Sequence, residues 1–186
     1  MIQKILFSIL FCFLALMHDS AAAQTATLTD IIVTNNRDDL LLYLNVEGAF
    51  QDEVKAAVLS GVPTTFSFAA NLNKIRSLWL DKNLTDIEVT HTIKYNNLKK
   101  EFVVKRSWEQ NQPRTTQSFE EAQRWMSEID SLRIISLKQL EKGRQYQLRA
   151  KAELKRVTLP FYLHYVLFFV SLWDFETDWY AIDFTY

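Results

Sequence analysis

Two stretches of this chain alternate apolar and polar residues with a period of two, and that pattern restricts the fold more than any other feature. In residues 86–95, Ile87, Val89, His91, Ile93 and Tyr95 point one way and Asp86, Glu88, Thr90, Thr92 and Lys94 the other. In residues 145–155, Tyr146, Leu148, Ala150, Ala152 and Leu154 alternate with Gln147, Arg149, Lys151, Glu153 and Lys155. Successive side chains of a strand project to opposite faces, so each stretch reads as a strand with one buried and one solvated face. Strands of that kind belong to antiparallel sheets covered on one side.

The other elements follow from turn and cap signals. Residues 28–34 and 40–46, separated by the turn cluster 35–39, predict a hairpin whose second strand buries Leu40, Leu42, Leu44 and Val46. Residues 51–60 switch to helical spacing, with Asp52 and Glu53 in the first turn, and Gly61 and Pro63 stop that helix. Residues 65–72 alternate again, while residues 73–83 fit either a strand or irregular structure. A two-residue turn at Asn96 and Asn97 would fold a strand running to about Trp108 back on residues 86–95, with His91 facing Phe102 and Val89 facing Val104. Residues 109–117 read as an exposed loop. Ser118 and Glu121 have the spacing of a capping box, ahead of a helix with Phe119, Ala122, Trp125, Met126 and Ile129 on its buried stripe, ending near Asp130. Strands near 132–140 and 145–155, joined through Glu141, Lys142, Gly143 and Arg144, predict a last hairpin. The fold class is therefore α+β, a largely antiparallel sheet of about seven strands with two helices.

Residues 1–23 carry a basic start at Lys4, an apolar run and the small residues Ala21, Ala22 and Ala23, the pattern of a cleaved secretory signal peptide. That leaves residues 24–186 as one domain. Cys12, the only cysteine, lies in the leader. Without it there is no thiol nucleophile and no Cys-rich metal site. The three glycines permit no phosphate-binding loop, and a net charge of -1 gives no reason to expect nucleic acid. His91 and His164 are too far apart in sequence for a close ligand pair. His91 reads as a neutral core histidine bonded to a backbone group, and Arg106, on the same apolar side as Phe102 and Val104, needs a carboxylate partner if buried. The expectation is a chain without catalytic residues or cofactor. The cations at Arg144, Arg149, Lys151, Lys155 and Arg156 form a basic strand face suited to solvent or to anionic lipid.

The segment 157–186 is the unusual part. Residues 157–173 bear no formal charge, and 11 of the chain's 25 aromatics fall in the last 26 residues. This run reads either as buried core or as a membrane-contacting segment with Trp173, Trp179 and Tyr180 at headgroup level. Alternation in residues 173–179 places Trp173, Phe175 and Trp179 on one face of a strand and Asp174, Glu176 and Asp178 on the other. The three carboxylates are the weak candidates for a metal site. Trp173, Phe175, Trp179 and Tyr180 are the candidates for contact with a partner or ligand.

In Gly61-Val62-Pro63, in Leu159-Pro160 and above all in Ser171-Leu172-Trp173-Asp174-Phe175-Glu176-Thr177-Asp178-Trp179-Tyr180, the chain resembles the exported bacterial family known as domain of unknown function 4390. The resemblance runs from about Thr27 to Tyr180. It implies a small signal-bearing protein of Gram-negative bacteria, in some genomes encoded beside a membrane sensor kinase, and it brings over no catalytic residue. The functional expectation is a non-enzymatic periplasmic or envelope protein that binds an envelope protein partner, a sensor kinase among the candidates, with peripheral membrane contact through its C-terminal segment. The alternative is a periplasmic carrier or sensor of an apolar ligand or lipid held between sheet and tail.

Overall fold

The computed structural model describes residues 26–77, 79–109, 112–155 and 175–186. The expected leader and the uncharged run 157–173 lie outside them. The elements in order are β1 (Thr27–Asn35), β2 (Asp39–Glu47), α1 (Asp52–Leu59), β3 (Thr64–Lys74), β4 (Lys82–Asn96), β5 (Glu101–Arg106), β6 (Arg114–Thr116), α2 (Phe119–Ser127), β7 (Glu128–Ser136), a 3-10 turn (Leu137–Gln139), β8 (Gln145–Lys155) and β9 (Tyr180–Thr185). Every strand pairing is antiparallel, and the class is α+β. Among the described residues the strands number nine, not about seven, and form two sheets in the orders β1-β2-β7 and β6-β5-β4-β3-β8-β9. Alternation reports that one face of a strand is covered and is silent on what covers it. Here both sheets and both helices contribute to one core.

In the three-stranded sheet the expected hairpin forms. Asn36 Oδ1 accepts the amides of Asp38 at 2.8 Å and Asp39 at 2.7 Å, which fixes the β1–β2 turn. Leu40, Leu42, Leu44 and Val46 are buried as predicted. The last expected hairpin does not exist. β7 pairs with β2, and β8 pairs with β3 in the other sheet, so residues 137–144 carry the chain from one sheet to the other. A broken alternation explains the choice: Leu132, Ile134 and Ile135 are all buried, and Ile134 is the extra residue between the pairs Leu40↔Ile135 and Leu41↔Arg133. A bulge lets β7 bury two consecutive residues.

β3 is the spine of the six-stranded sheet, bonded to β4 on one side and β8 on the other, with Phe66, Phe68, Ala70 and Leu72 facing inward. The β4–β5 turn occupies residues 97–100, with Asn96 Oδ1 accepting the amides of Leu98 and Lys99 at 3.1 and 3.2 Å. It is longer than the expected two residues. His91 consequently faces Arg106 and Ile93 faces Val104, and β5 ends at Arg106 rather than at Trp108. The slip is even, so every side chain keeps its expected face. Part of the expected loop 109–117 is strand β6, which adds to the edge of β5.

The helices cap much as their sequences suggest. Gly61 has φ +83°, and its amide bonds Val58 O at 2.9 Å while Val62 N bonds Ala57 O at 3.1 Å, closing α1. Ser118 Oγ accepts the amide of Glu121 at 3.2 Å. The return half of the capping box is made by another residue. Ser118 N donates to Thr116 Oγ1 at 3.1 Å, and the Glu121 carboxylate accepts from the Thr116 hydroxyl instead. α2 ends at Ser127, and Ile129 enters the core from β7 rather than from the helix. Phe119 meets Phe50 and Phe102 at ring distances of 5.8 and 5.6 Å, locking α2 to the sheet.

Candidate functional site

Residues 175–180 run back along β8 and bring the described part of the aromatic C-terminus onto the sheet. Leu154 N donates to Phe175 O and Thr177 N to Ala152 O, both at 2.9 Å. Ala152 N donates to the hydroxyl of Thr177, also at 2.9 Å. A side-chain oxygen thus takes a place in the ladder that a carbonyl would normally hold. Register explains why. From the bridge Glu153↔Glu176 to the pair Ala150↔Tyr180, β8 advances three positions and the C-terminal segment four. One residue is in excess, and a bulge absorbs it.

The bulge overturns the expected face pattern. Phe175 turns inward, its ring edge-on to Phe66 at 5.0 Å, and Thr177 is 4% exposed. Trp179 does not share their face. It lies outside, over the Arg149 guanidinium at 4.9 Å and the Lys151 ammonium at 5.3 Å, on the side of β8 opposite the buried Leu148, Ala150 and Ala152. Glu176 also points to that outer side, and its carboxylate accepts from Lys151 Nζ at 2.6 Å. This bond to Glu176 raises the Lys151 pKa above its ordinary value. Trp173 and Asp174 lie outside the described residues. Of the three metal candidates, Glu176 is engaged by Lys151 and Asp178 is exposed, and no group of three metal-ligating side chains occurs among the described residues.

Trp179 and Tyr180 are 38% and 49% exposed at the start of β9. β9 is held by β8 along one side, with Phe184 stacked on Tyr146 at 5.7 Å, and no described strand pairs with its other side. Residues 176–180 and the start of β1, from Ala26 to Leu28, together line a cleft of about 360 Å³. The exposed carboxylates of Glu176 and Asp178 stand at this cleft. Of the expected basic strand face, Lys151 is paired with Glu176 and Glu153, Lys155 with Glu88 at 2.6 Å, and Arg144 with Glu141 at 3.6 Å. Arg156 lies outside the described residues. Among the described residues, three of the four cations of that face are charge-compensated, and Arg149 lies against the Trp179 ring instead.

A second polar cluster is buried. His91 is fully buried between the rings of Phe68 and Trp108, each 4.6 Å away. Its Nδ1 lies 2.8 Å from Met126 O. A carbonyl only accepts, so Nδ1 carries the hydrogen and Nε2 is bare in the neutral ring. Burial pushes its pKa down to about 3, against the opposing pull of the Met126 bond, and the charge of Arg106 acts in the same direction as burial. Arg106 Nε donates to Trp125 O at 2.9 Å and Nη1 to Glu109 at 3.1 Å, so the required carboxylate is present. Burial lowers the Arg106 pKa too. Trp125 and Met126 belong to the last turn of α2, whose carbonyls have no partner within the helix. His91 and Arg106 satisfy them from the sheet, so this pair serves as a helix cap.

Further clefts open at the surface among the described residues. One of about 590 Å³ on the outer face of β4 and β5 is lined by residues including Gly61, Thr92, Lys94, Tyr95, Val103 and Lys105. One of about 430 Å³ lies between the residues after β2 and α2 and includes Glu47, Glu120 and Arg124. The third, about 310 Å³, includes Asp30, Ile32, Tyr43 and Glu128. Sequence reasoning passed over Lys94 and Lys105, although alternation marks both as outward-facing.

A family model described as "Domain of unknown function (DUF4390)" matches residues 23–183, most of the chain. No curated protein and no solved structure matches it.

Proposed function

The chain belongs to the DUF4390 family, and from that premise we propose a non-enzymatic exported protein of the bacterial envelope that binds an extended segment of a protein partner along β9. The observation that carries this reading is that no described strand pairs with the outer side of β9, with Trp179 and Tyr180 exposed at its start beside the cleft against β1. An open strand edge offers a row of backbone donors and acceptors, and an extended peptide completes them by adding a strand. Trp179 has one face on Arg149 and Lys151, which holds the indole in place before any partner arrives. The periplasm as compartment, a membrane sensor as partner and peripheral membrane contact are parts of the same proposal. The apolar-carrier alternative has less support at the described residues, where Phe175 and Thr177 fill the inner side of the C-terminal segment.

The test is site-specific photo-crosslinking in intact envelopes, with the crosslinker placed at Trp179, Tyr180 or Asp183 and, as control, at the fully exposed Leu98 of the β4–β5 turn. One defined adduct at the three edge positions and none at Leu98 is the expected outcome. Equal labelling at edge and control, or none anywhere, would overturn the proposal.

A further inference from the structure

We infer that the cleft on the outer face of β4 and β5 binds an oxyanion, a phosphate or carboxylate group carried on a small organic molecule. This site is independent of the β9 edge, since β3 and β8 separate the two regions of the sheet.

Charge is the first argument. Thr92 pairs with Lys105 and Lys94 with Val103, so the two lysines are diagonal neighbours on one face of adjacent strands. Like charges placed so closely on a sheet face repel and cost stability unless a counter-charge sits with them. Elsewhere this same outer face supplies one: Lys155 meets Glu88 at 2.6 Å and Lys151 meets Glu176 at 2.6 Å. Lys94 and Lys105 form no ion pair among the described residues, and no carboxylate lines their cleft. Each of the other clefts described above carries at least one carboxylate. The carboxylates that meet Lys151 and Lys155 have no counterpart at Lys94 and Lys105, where the surface is concave.

Shape and chemistry supply the rest. The cleft's volume of about 590 Å³ suits a small organic ligand. The α1–β3 junction forms one wall, where a side chain on Gly61 would meet Asn97 Nδ2 at 3.1 Å, so that junction and the β4–β5 turn are in close contact. Val103 and Pro63 provide apolar surface for a carbon skeleton, and Thr92, Asn96 and Asn97 provide hydroxyl and amide groups beside it. Lysine ammonium groups are compact point charges with three rotatable donors each, suited to phosphate or carboxylate oxygens approaching from solvent.

The purified protein, labelled with nitrogen-15, would be titrated with inorganic phosphate and with glycerol 3-phosphate at an ionic strength held constant with chloride. Vesicles of phosphatidylglycerol, with phosphatidylcholine as control, form the second arm. Saturable shifts at the Thr92, Val103 and Lys105 amides are expected, with affinity falling at least about tenfold in the Lys94→Gln, Lys105→Gln double variant. Without ligand, the melting temperature of that variant should hold or rise, since both side chains are exposed and their mutual repulsion is removed. Soluble-phosphate binding lost in the variant identifies a free oxyanion as ligand. Binding to phosphatidylglycerol vesicles alone, lost in the variant, identifies a lipid headgroup. Absence of saturable binding in both arms, or binding that survives the double substitution, would overturn the inference.

Discussion

His91 carries the largest electrostatic consequence of any single side chain described. Its ring is buried neutral, with a pKa of about 3 in the folded protein against about 6.5 in an unfolded chain. The unfolded state therefore takes up a proton that the folded state refuses. This contribution to stability is complete above pH 6.5 and is lost progressively as the pH falls from there toward 3. Between pH 7 and pH 4.5 the loss from this one group should be about 2 to 3 kcal/mol. Urea denaturation at the two pH values measures it, and His91→Gln separates it from carboxylate effects, because the amide retains a donor for the Met126 carbonyl and does not titrate. A variant as acid-sensitive as the parent would show that His91 is not the cause. Burial of a polar side chain here was legible in the alternation, and so was the need of Arg106 for a carboxylate. The identity of the partner of His91 was not legible, because Met126 lies 35 positions away and only packing of α2 on β4 brings it near.

Among elements, the α1–β3 junction shows how one residue can satisfy two constraints. Gly61 adopts a left-handed φ of +83°, and a Cβ there would stand 3.1 Å from the Asn97 side chain. Gly61→Ala should therefore lower stability by about 1 kcal/mol or more, read from the denaturation midpoint. A change of only a few tenths of a kcal/mol would show that backbone and Asn97 relax freely. The stop signal itself stood in the sequence as Gly61 and Pro63. Turn lengths were harder to read. Asn96 and Asn97 suit a two-residue turn, yet Asn96 bonds the amides of Leu98 and Lys99 and holds a four-residue one. The C-terminal segment shows a similar limit. Its alternation from 173 to 179 is regular on paper, but the Thr177 hydroxyl enters the β8 ladder and the excess residue turns Trp179 outward onto Arg149 and Lys151. No local pattern announces such a bulge, since it arises from the register of two strands fixed independently.

At the scale of the whole molecule, β3 is bonded on both sides along its length, whereas β6 and β9 are the edge strands among the described residues. Amide protection follows the number of bonds that must open together. Native-state hydrogen exchange should find the slowest amides in β3, with those of β9 and β6 exchanging markedly sooner. Amides of β3 exchanging as quickly as those of β9 would contradict a single cooperative core centred on β3. The same arrangement leaves the outer side of β9 without a described strand, where the proposed partner strand would add, and it separates that edge from the lysine cleft on β4 and β5.

What the sequence determined by itself are the properties set within a few neighbouring residues: most of the strands, though not β6 or β9, the buried faces of β2, β3, β4, β5 and β8, where α1 and α2 begin, and that the class is α+β. Alternation and capping are local physics, and they survived even where the register slipped, because an even slip preserves faces. Only the tertiary structure decided how the strands divide between two sheets, that β7 leaves β8 to pair with β2, and that Trp179 rests on cations rather than in the core. These outcomes depend on which distant surfaces can bury one another without leaving backbone groups unpaired, a competition that no window along the chain contains.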